Sequence, residues 1–126
     1  MRRTKPHEQL GHLQLQVMRV LWQRGTATLA DVRAAIEPQQ LATTTIATVL
    51  ARLKHAGLVT YREGPPRVYS AAVAEEELQR TQARRLVDRL FGGRASDLVA
   101  HLVHEFDIDA GELARLRKLL QQRRRS

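Results

Sequence analysis

A cluster of threonines followed by basic residues is the part of this sequence best suited to contact the surface of another molecule. Helical spacing places Thr44, Thr48 and His55 on one face, with Thr45 and Arg52 beside them. Hydroxyl groups donate and accept hydrogen bonds, threonine methyls pack on thymine methyls, and arginine binds phosphate. Because β-branched residues weaken a helix, helix stability does not explain the cluster; the alternative is that it only caps the helix. The predicted contact residues of this helix are Thr43, Thr44, Thr45, Thr48, Arg52 and His55.

Other residues with catalytic potential do not form a recognised arrangement. His101 and His104 share a helix face, but with Glu105 they do not follow the HExxH order of zinc proteases. A weak transition-metal or pH-sensing role for the two histidines is the alternative to a partly solvated patch. The chain contains no Cys, which excludes disulfides, thiolate zinc sites and cysteine nucleophiles. We find no glycine-rich phosphate loop and no nucleophile–base pair, so we predict no enzymatic activity, no cofactor and no metal site.

The charge of the chain predicts a polyanionic partner. The 126 residues include 21 Lys and Arg against 13 Asp and Glu, which gives a net charge of +8 and a pI of about 11.2. Residues 1–73 carry most of the excess, with 10 Lys and Arg against 4 Asp and Glu, and no acid lies between Glu37 and Glu63. Nucleic acid and an anionic membrane surface both fit this charge. Aromatic residues make up only 4% of the chain, which argues against stacking on single-stranded nucleic acid.

The length of the chain suits one domain or two small pieces that share a core. No apolar run reaches the length of a membrane span, and no signal-like apolar stretch follows residues 1–6. We therefore expect a soluble, cytoplasmic protein with no membrane insertion.

Apolar residues three and four positions apart predict three short helices before residue 57. They cover about residues 8–24, 28–38 and 42–55. Thr28 stands three residues before Asp31, which is the spacing of a capping box at the start of the second helix. The predicted buried stripe of the third helix is Ile46, Val49, Leu50 and Leu53.

The period changes after Gly57, where two short strands are predicted. Residues 58–62 and 67–71 read as strands, and residues 63–66 supply the glycine and prolines of a turn. Three helices followed by a hairpin is the order of a winged helix, whose third helix enters the major groove of DNA. The alternative is a hairpin that only caps the core. The residues of this wing predicted to hold the DNA backbone are Arg62, Arg67 and Tyr69.

The last third of the chain predicts three leucine-rich helices. They are too rich in leucine to be buried easily within one small chain, so we predict a dimerisation element; folding back onto the winged helix is the alternative. The fold is thus expected to be mostly α with a small β-hairpin wing. It would combine a winged helix-turn-helix DNA-binding domain (residues 1–72) with a C-terminal helical dimerisation region (residues 73–126). The predicted dimerisation residues are Leu86, Leu90, Phe91, Leu98, Leu102, Leu113, Leu116 and Leu120.

A series of short motifs follows a specific order along the chain. They include Leu10-Gly11, Val17-Met18, Leu21-Trp22, Thr28, Asp31-Val32, Thr44-Thr45, Thr48, Arg52-Leu53, Gly57-Leu58-Val59, Tyr69, Leu90-Phe91-Gly92-Gly93, Leu98-Val99 and Glu112-Leu113. By their order and spacing the chain resembles the penicillinase-repressor family of the BlaI and MecI type, with CopY as a cousin. The resemblance covers roughly residues 10–120. It implies a homodimeric winged-helix repressor that binds a palindromic operator and controls β-lactam-resistance or related stress genes.

Two features of that family are missing from this chain. Members of the β-lactam type are inactivated by cleavage between an Asn and a Phe, but this chain has no Asn, and the matching stretch reads Ala100-His101-Leu102-Val103. The copper-responsive cousins carry a C-terminal cysteine cluster, which is absent here. The inducing signal, and whether a membrane-bound sensor protease acts on the chain, are therefore open at this stage.

The sequence as a whole predicts a DNA-binding transcriptional repressor that acts as a homodimer on an inverted-repeat operator in double-stranded DNA. The alternative is a basic helical protein that binds DNA or anionic surfaces without reading a sequence. Salt-sensitive binding to a specific duplex would favour the first, and binding to anionic vesicles independent of DNA would favour the second.

Overall fold

Helices dominate the structure, a computed structural model that describes residues 10–36 and 41–125. A single two-stranded antiparallel hairpin interrupts the helices within this part of the chain, as predicted. The elements are α1 (His12–Arg24), α2 (Leu29–Ala35), α3 (Thr43–His55), β1 (Val59–Arg62), β2 (Val68–Ala71), α4 (Glu75–Phe91), α5 (Ala95–Glu105) and α6 (Ala110–Arg125).

The first helix begins later than its apolar pattern predicts. Gly11 is its N-cap, and the backbone N–H of Gly11 donates to the side chain of Gln14 at 2.8 Å. Leu10 is buried but lies before the helix, so its apolar character serves the core rather than a helical stripe. The predicted start at Glu8 lies outside the described residues. The predicted end is confirmed, because Gly25 adopts a positive φ of 83° that favours glycine.

The start of α2 confirms the predicted capping box. The Thr28 hydroxyl accepts from the backbone N–H of Asp31 at 3.1 Å, and the Asp31 carboxylate accepts from the backbone N–H of Thr28 at 3.0 Å. Two N–H groups that lack helical partners are thereby satisfied. The helix ends at Ala35, whereas Pro38, the predicted end, lies outside the described residues.

The third helix has the predicted bounds and the predicted buried stripe. Its N-cap is Ala42, and its apolar face points into the core. The core side chains that are almost fully buried come from α1, α2, α3 and β1: Val17, Met18, Leu21, Val32, Ile46, Leu50, Leu53 and Val59. One face of α3 is therefore held by packing on three other elements, which leaves the opposite face exposed on a rigid support.

The hairpin is tied to the helical core from both sides. Its register pairs Tyr61 with Tyr69 and Arg62 with Val68. On the outer side of β2, Ala27 exchanges two backbone hydrogen bonds with Tyr69, at 3.0 and 2.8 Å. These bonds connect the segment between α1 and α2 to the wing and so fix the wing beside α3.

The chain divides into two compact units after Leu86, within α4. In the first unit, Leu78 of α4 is buried in the same core as α1–α3. In the second unit, Gly92 and Gly93 take positive φ angles after α4, and the helix ends there. Asp109 accepts from the backbone N–H of Glu112 at 2.8 Å and so caps α6. The functional boundary at residues 72 and 73 stays a prediction.

Candidate nucleic-acid interface

The outward face of α3 exposes every residue predicted on it. Thr44, Thr45 and Thr48 are exposed, as are the remaining predicted residues of this helix, Thr43, Arg52 and His55. The hydroxyl of Thr48 donates to the carbonyl oxygen of Thr44 at 2.9 Å. This bond uses the hydroxyl proton and leaves the methyl group and the oxygen lone pairs of Thr48 available to a partner.

The end of α3 is strongly basic. Arg52, Lys54 and His55 occupy its last turn, and α3 contains no acidic residue. Cations are favoured at this end of a helix because the carbonyl groups there carry partial negative charge. Lys54 was not among the predicted contact residues. The signal that could have identified it is its place between two predicted cations in an acid-free segment.

The wing holds a second pair of cations beside α3. Arg62 is exposed at the end of β1, and Arg67 is exposed just before β2. The guanidinium of Arg67 lies 4.4 Å from the ring centroid of Tyr61, and Lys54 Nζ lies 5.6 Å from the same ring. Tyr61 therefore connects the basic end of α3 to the wing through two cation–π contacts. Tyr61 was not among the predicted site residues, although its position opposite Tyr69 in the hairpin was available as a signal.

Arg67 is oriented by its neighbours. Its Nε donates to Glu63 Oε1 at 3.2 Å. Hydrogen bonds to the side chains of Tyr69 and Glu63 raise the pKa of Arg67, because both favour the charged guanidinium. The group stays charged and is directed along the wing, as a contact to a phosphate backbone requires.

The position of Tyr69 argues against the predicted direct contact with DNA. The residue is only 7% exposed and belongs to the hydrophobic core. Its ring lies 5.5 Å from the ring of Tyr61, and its backbone pairs with Ala27. Tyr69 is buried because β2 lies between β1 and the segment before α2. Tyr69 supports Tyr61 and Arg67, and little of its own side chain is exposed.

The second unit carries a large amount of exposed apolar surface. Of the predicted dimerisation residues, Leu90, Leu102, Leu113, Leu116 and Leu120 are exposed, whereas Leu86, Phe91 and Leu98 are half-buried. Leu119, which was not predicted, is 53% exposed and lines an apolar cavity of about 600 Å³ with Leu116, Leu120 and Val99. In monomers, exposed apolar surface of this extent marks an interaction site.

The two histidines of α5 lie beside this surface and have an aromatic neighbour. His101 lies 5.4 Å from the ring of Phe91, centroid to centroid. A small cavity of about 210 Å³ is lined by these two residues together with Asp97, Ala100 and His104. In the part of the chain that the structure describes, no group of three potential metal ligands converges. No helix in residues 10–36 and 41–125 combines the length and apolarity that a membrane crossing requires.

Comparison with known proteins decides the family. A model of the penicillinase repressor family matches residues 10–122, nearly the whole chain. The chain belongs to the penicillinase repressor family. An uncharacterized 16.5 kDa protein in the ptsI 3′ region of Latilactobacillus sakei is 28% identical to this repressor over 107 residues, 83% of this chain and 73% of that protein.

The likeness to a solved structure, that of YusO, supports the fold of the repressor. YusO from Bacillus subtilis is 14% identical and superimposes with a TM-score of 0.51, covering 90% of this chain and 75% of that one. The transcriptional regulator PA4135 is 21% identical, with a TM-score of 0.45 over 92% of this chain and 78% of that one. Family membership makes the chain a DNA-binding transcriptional repressor, and proteins of this kind are regulators rather than enzymes.

Proposed function

We propose that the repressor binds an inverted-repeat operator as a homodimer, with α3 of each protomer in the major groove and the wing on the adjacent backbone. The observation that carries this proposal is the exposed, acid-free face of α3 beside the cationic wing. Thr44, Thr45 and Thr48 would contact base edges. Arg52, Lys54, His55 and the wing arginines Arg62 and Arg67 would contact phosphates. Phosphate contacts supply most of the affinity, and base contacts supply the specificity.

The apolar surface of the second unit supports the homodimer. Large side chains that are at least 38% exposed, Leu113 and Leu116 among them, are gathered in this unit of the described chain. A two-fold symmetric interface buries the same patch on both protomers, so one set of leucines covers the other. Two-fold symmetry then places two copies of α3 on two half-sites, which requires an operator with an inverted repeat.

Repression would follow from occupation of a promoter. A bound dimer excludes the polymerase from the same DNA, and no separate activation surface is needed for that effect. We place this repressor in the cytoplasm, where bacterial promoters are read. β-Lactam-resistance or related stress genes are the proposed targets, because the resemblance to the penicillinase repressors extends from α1 to α6.

Recovery of bound DNA from sheared genomic fragments tests the proposal. The purified full chain is incubated with the fragments at about 150 mM salt, where nonspecific phosphate contacts are weakened, and retained DNA is sequenced. We expect enriched fragments that share an inverted repeat. A double variant, Thr44→Ala with Thr48→Ala, should lose the enrichment.

Thr81→Ala is the matched control for this experiment. Thr81 is also a helical threonine, and its hydroxyl also donates to the carbonyl four residues earlier, that of Glu77, at 3.1 Å. It lies on α4, outside the proposed interface, so the control should recover the same fragments as the unmodified protein. Uniform recovery of DNA by all three proteins would contradict sequence reading and support nonspecific polyanion binding.

A further inference from the structure

An open groove of about 940 Å³ lies between the second half of α3, the start of α2 and the wing. Sites for small molecules span roughly 300–1,000 Å³ and are mostly apolar with a few polar groups. The groove fits that description. The apolar residues on its exposed or partly exposed lining are Leu29, Ala30, Ala47, Ala51 and Pro66, together with the side chain of Tyr61. Leu50 and Tyr69 also border the groove but are buried.

The polar side chains that line the groove are three basic residues and the hydroxyl-bearing Thr28, Tyr61 and Tyr69. Lys54, His55 and Arg67 line it, and no carboxylate of the described residues does so. Arg67 is paired with Glu63, but Lys54 makes no ion pair within the described chain and contacts only the ring of Tyr61. A negatively charged group in this groove could therefore pair with the ammonium of Lys54 and with the guanidinium of Arg67, which Glu63 satisfies only in part.

The apolar lining distinguishes the ligand from DNA. A phosphate backbone presents charge but no flat apolar body. It would leave the partly exposed side chains of Leu29, Ala47 and Tyr61 without an apolar partner. An aromatic carboxylic acid presents both parts, because its ring can lie on the apolar lining and its carboxylate can reach Lys54. Such a ring also stacks on tyrosine at little cost in entropy.

We propose that this groove binds a small aromatic carboxylate and that a bound carboxylate displaces DNA. The proposal rests on the proposed function, because Lys54, His55 and Arg67 belong both to the groove and to the proposed phosphate contacts. A ligand that occupies these residues competes with DNA for the same cations. Binding of each is then weakened by the other, which is the thermodynamic requirement for an inducer.

A titration without DNA tests the site. Benzoate is added to the full chain labelled with ¹⁵N, at constant ionic strength, and backbone amide shifts are recorded. We expect saturable shifts at groove residues such as Ala51 and Tyr61. Benzamide, which lacks the charge, and acetate, which lacks the ring, should each bind at least about tenfold more weakly, since each loses one of the two kinds of contact.

Two substitutions distinguish the groove from general attraction to a basic protein. Lys54→Met keeps the apolar stem and removes the ammonium, so benzoate should bind about tenfold more weakly. Arg115→Met removes an exposed cation of α6 and should leave benzoate binding unchanged. Shifts scattered over the whole surface, or equal weakening by both substitutions, would overturn the proposed site.

Competition is measured separately, by the anisotropy of a labelled operator fragment recovered from genomic DNA. Benzoate should raise the apparent Kd for that fragment at constant ionic strength, and this effect should be reduced in Lys54→Met. Benzoate binding in the groove without any change in DNA affinity would overturn the displacement. A chain that binds benzoate in the groove but reads no DNA sequence would overturn the proposed function and still support the ligand site.

Discussion

Replacement of Thr48 separates a base-reading role on α3 from a structural one. The side chain is exposed, and its hydroxyl proton is already donated to the carbonyl of Thr44. The group left for a base is therefore the methyl, which fits the methyl of thymine, with the oxygen lone pairs beside it. Thr48→Ala removes this methyl, whereas Thr48→Val keeps it and Thr48→Ser keeps only the hydroxyl.

Thr48→Ala should affect the stability of the protein and its affinity for the operator in opposite directions. Alanine is the better helix former by up to about 0.7 kcal/mol at an exposed position, so Thr48→Ala should leave the protein as stable as before or slightly more stable. Loss of a base contact costs about 1–3 kcal/mol, which weakens binding to the operator roughly 5- to 150-fold. Binding to random DNA should change little, because phosphate contacts are retained.

Fluorescence anisotropy with operator and scrambled duplexes at the same salt concentration measures these effects, and denaturant unfolding measures stability. Thr48→Val should retain most of the operator affinity, and Thr48→Ser should resemble Thr48→Ala. Thr81→Ala serves as the control, since it removes an equivalent hydrogen bond from a threonine hydroxyl to a backbone carbonyl in α4. An equal loss on both duplexes would refute base reading, and a valine variant as weak as the alanine variant would refute the methyl contact.

Four further results are expected from the structure. Arg62→Gln should weaken binding about equally on all DNA sequences, because a single phosphate contact is lost. For the same reason the slope of log Kd against log salt concentration should fall by about one. An unchanged slope would exclude that contact. Thr28→Ala should lower the free energy of unfolding by about 0.5–2 kcal/mol in denaturant titrations, since it removes the cap of α2. Hydrogen bonds from the backbone N–H and the hydroxyl of Thr28 lower the pKa of Asp31, with a smaller effect of Arg24. The Asp31 carboxylate therefore stabilises the fold above its ordinary pKa of 3.8, and this contribution disappears as the pH falls through the lowered value. In Asp31→Asn, the unfolding free energy should lose the part of its pH dependence that Asp31 contributes. Leu116→Glu combined with Leu120→Glu should shift sedimentation from dimer to monomer while the near-ultraviolet signal of the first unit is retained; a dimer that survives would place the interface elsewhere.

Several elements of the fold could be predicted from the sequence because their signals are local. The capping box of Thr28 and Asp31, the glycine that ends α1 and the cap of α6 at Asp109 each act within one helical turn. The apolar stripe of α3 predicted its bounds and its exposed face together, since a helix that buries one face must expose the opposite one. The start of α1 was placed too early because Leu10 continues the apolar pattern although the helix has not yet begun.

The candidate site was predictable only in part. The threonines and cations of α3 were found because helical spacing and the absence of acids are visible in the sequence. Lys54 and Tyr61 were missed, since their contact joins the end of a helix to a strand across a turn. No local pattern reports the 5.6 Å distance between the Lys54 amine and the Tyr61 ring.

The burial of Tyr69 shows what only the tertiary structure decided. Strand alternation assigns side chains to two faces of a hairpin, but it does not say which face another part of the chain will cover. Ala27, far away in the sequence, pairs with Tyr69 at the edge of the hairpin, and α1 packs against β2, so that Tyr69 joins the core. The sequence by itself determined a winged helix with an exposed, acid-free surface on α3, because periodicity and capping are local properties. The tertiary structure decided which wing residues reach that surface, because burial depends on contacts between segments that are distant in the chain.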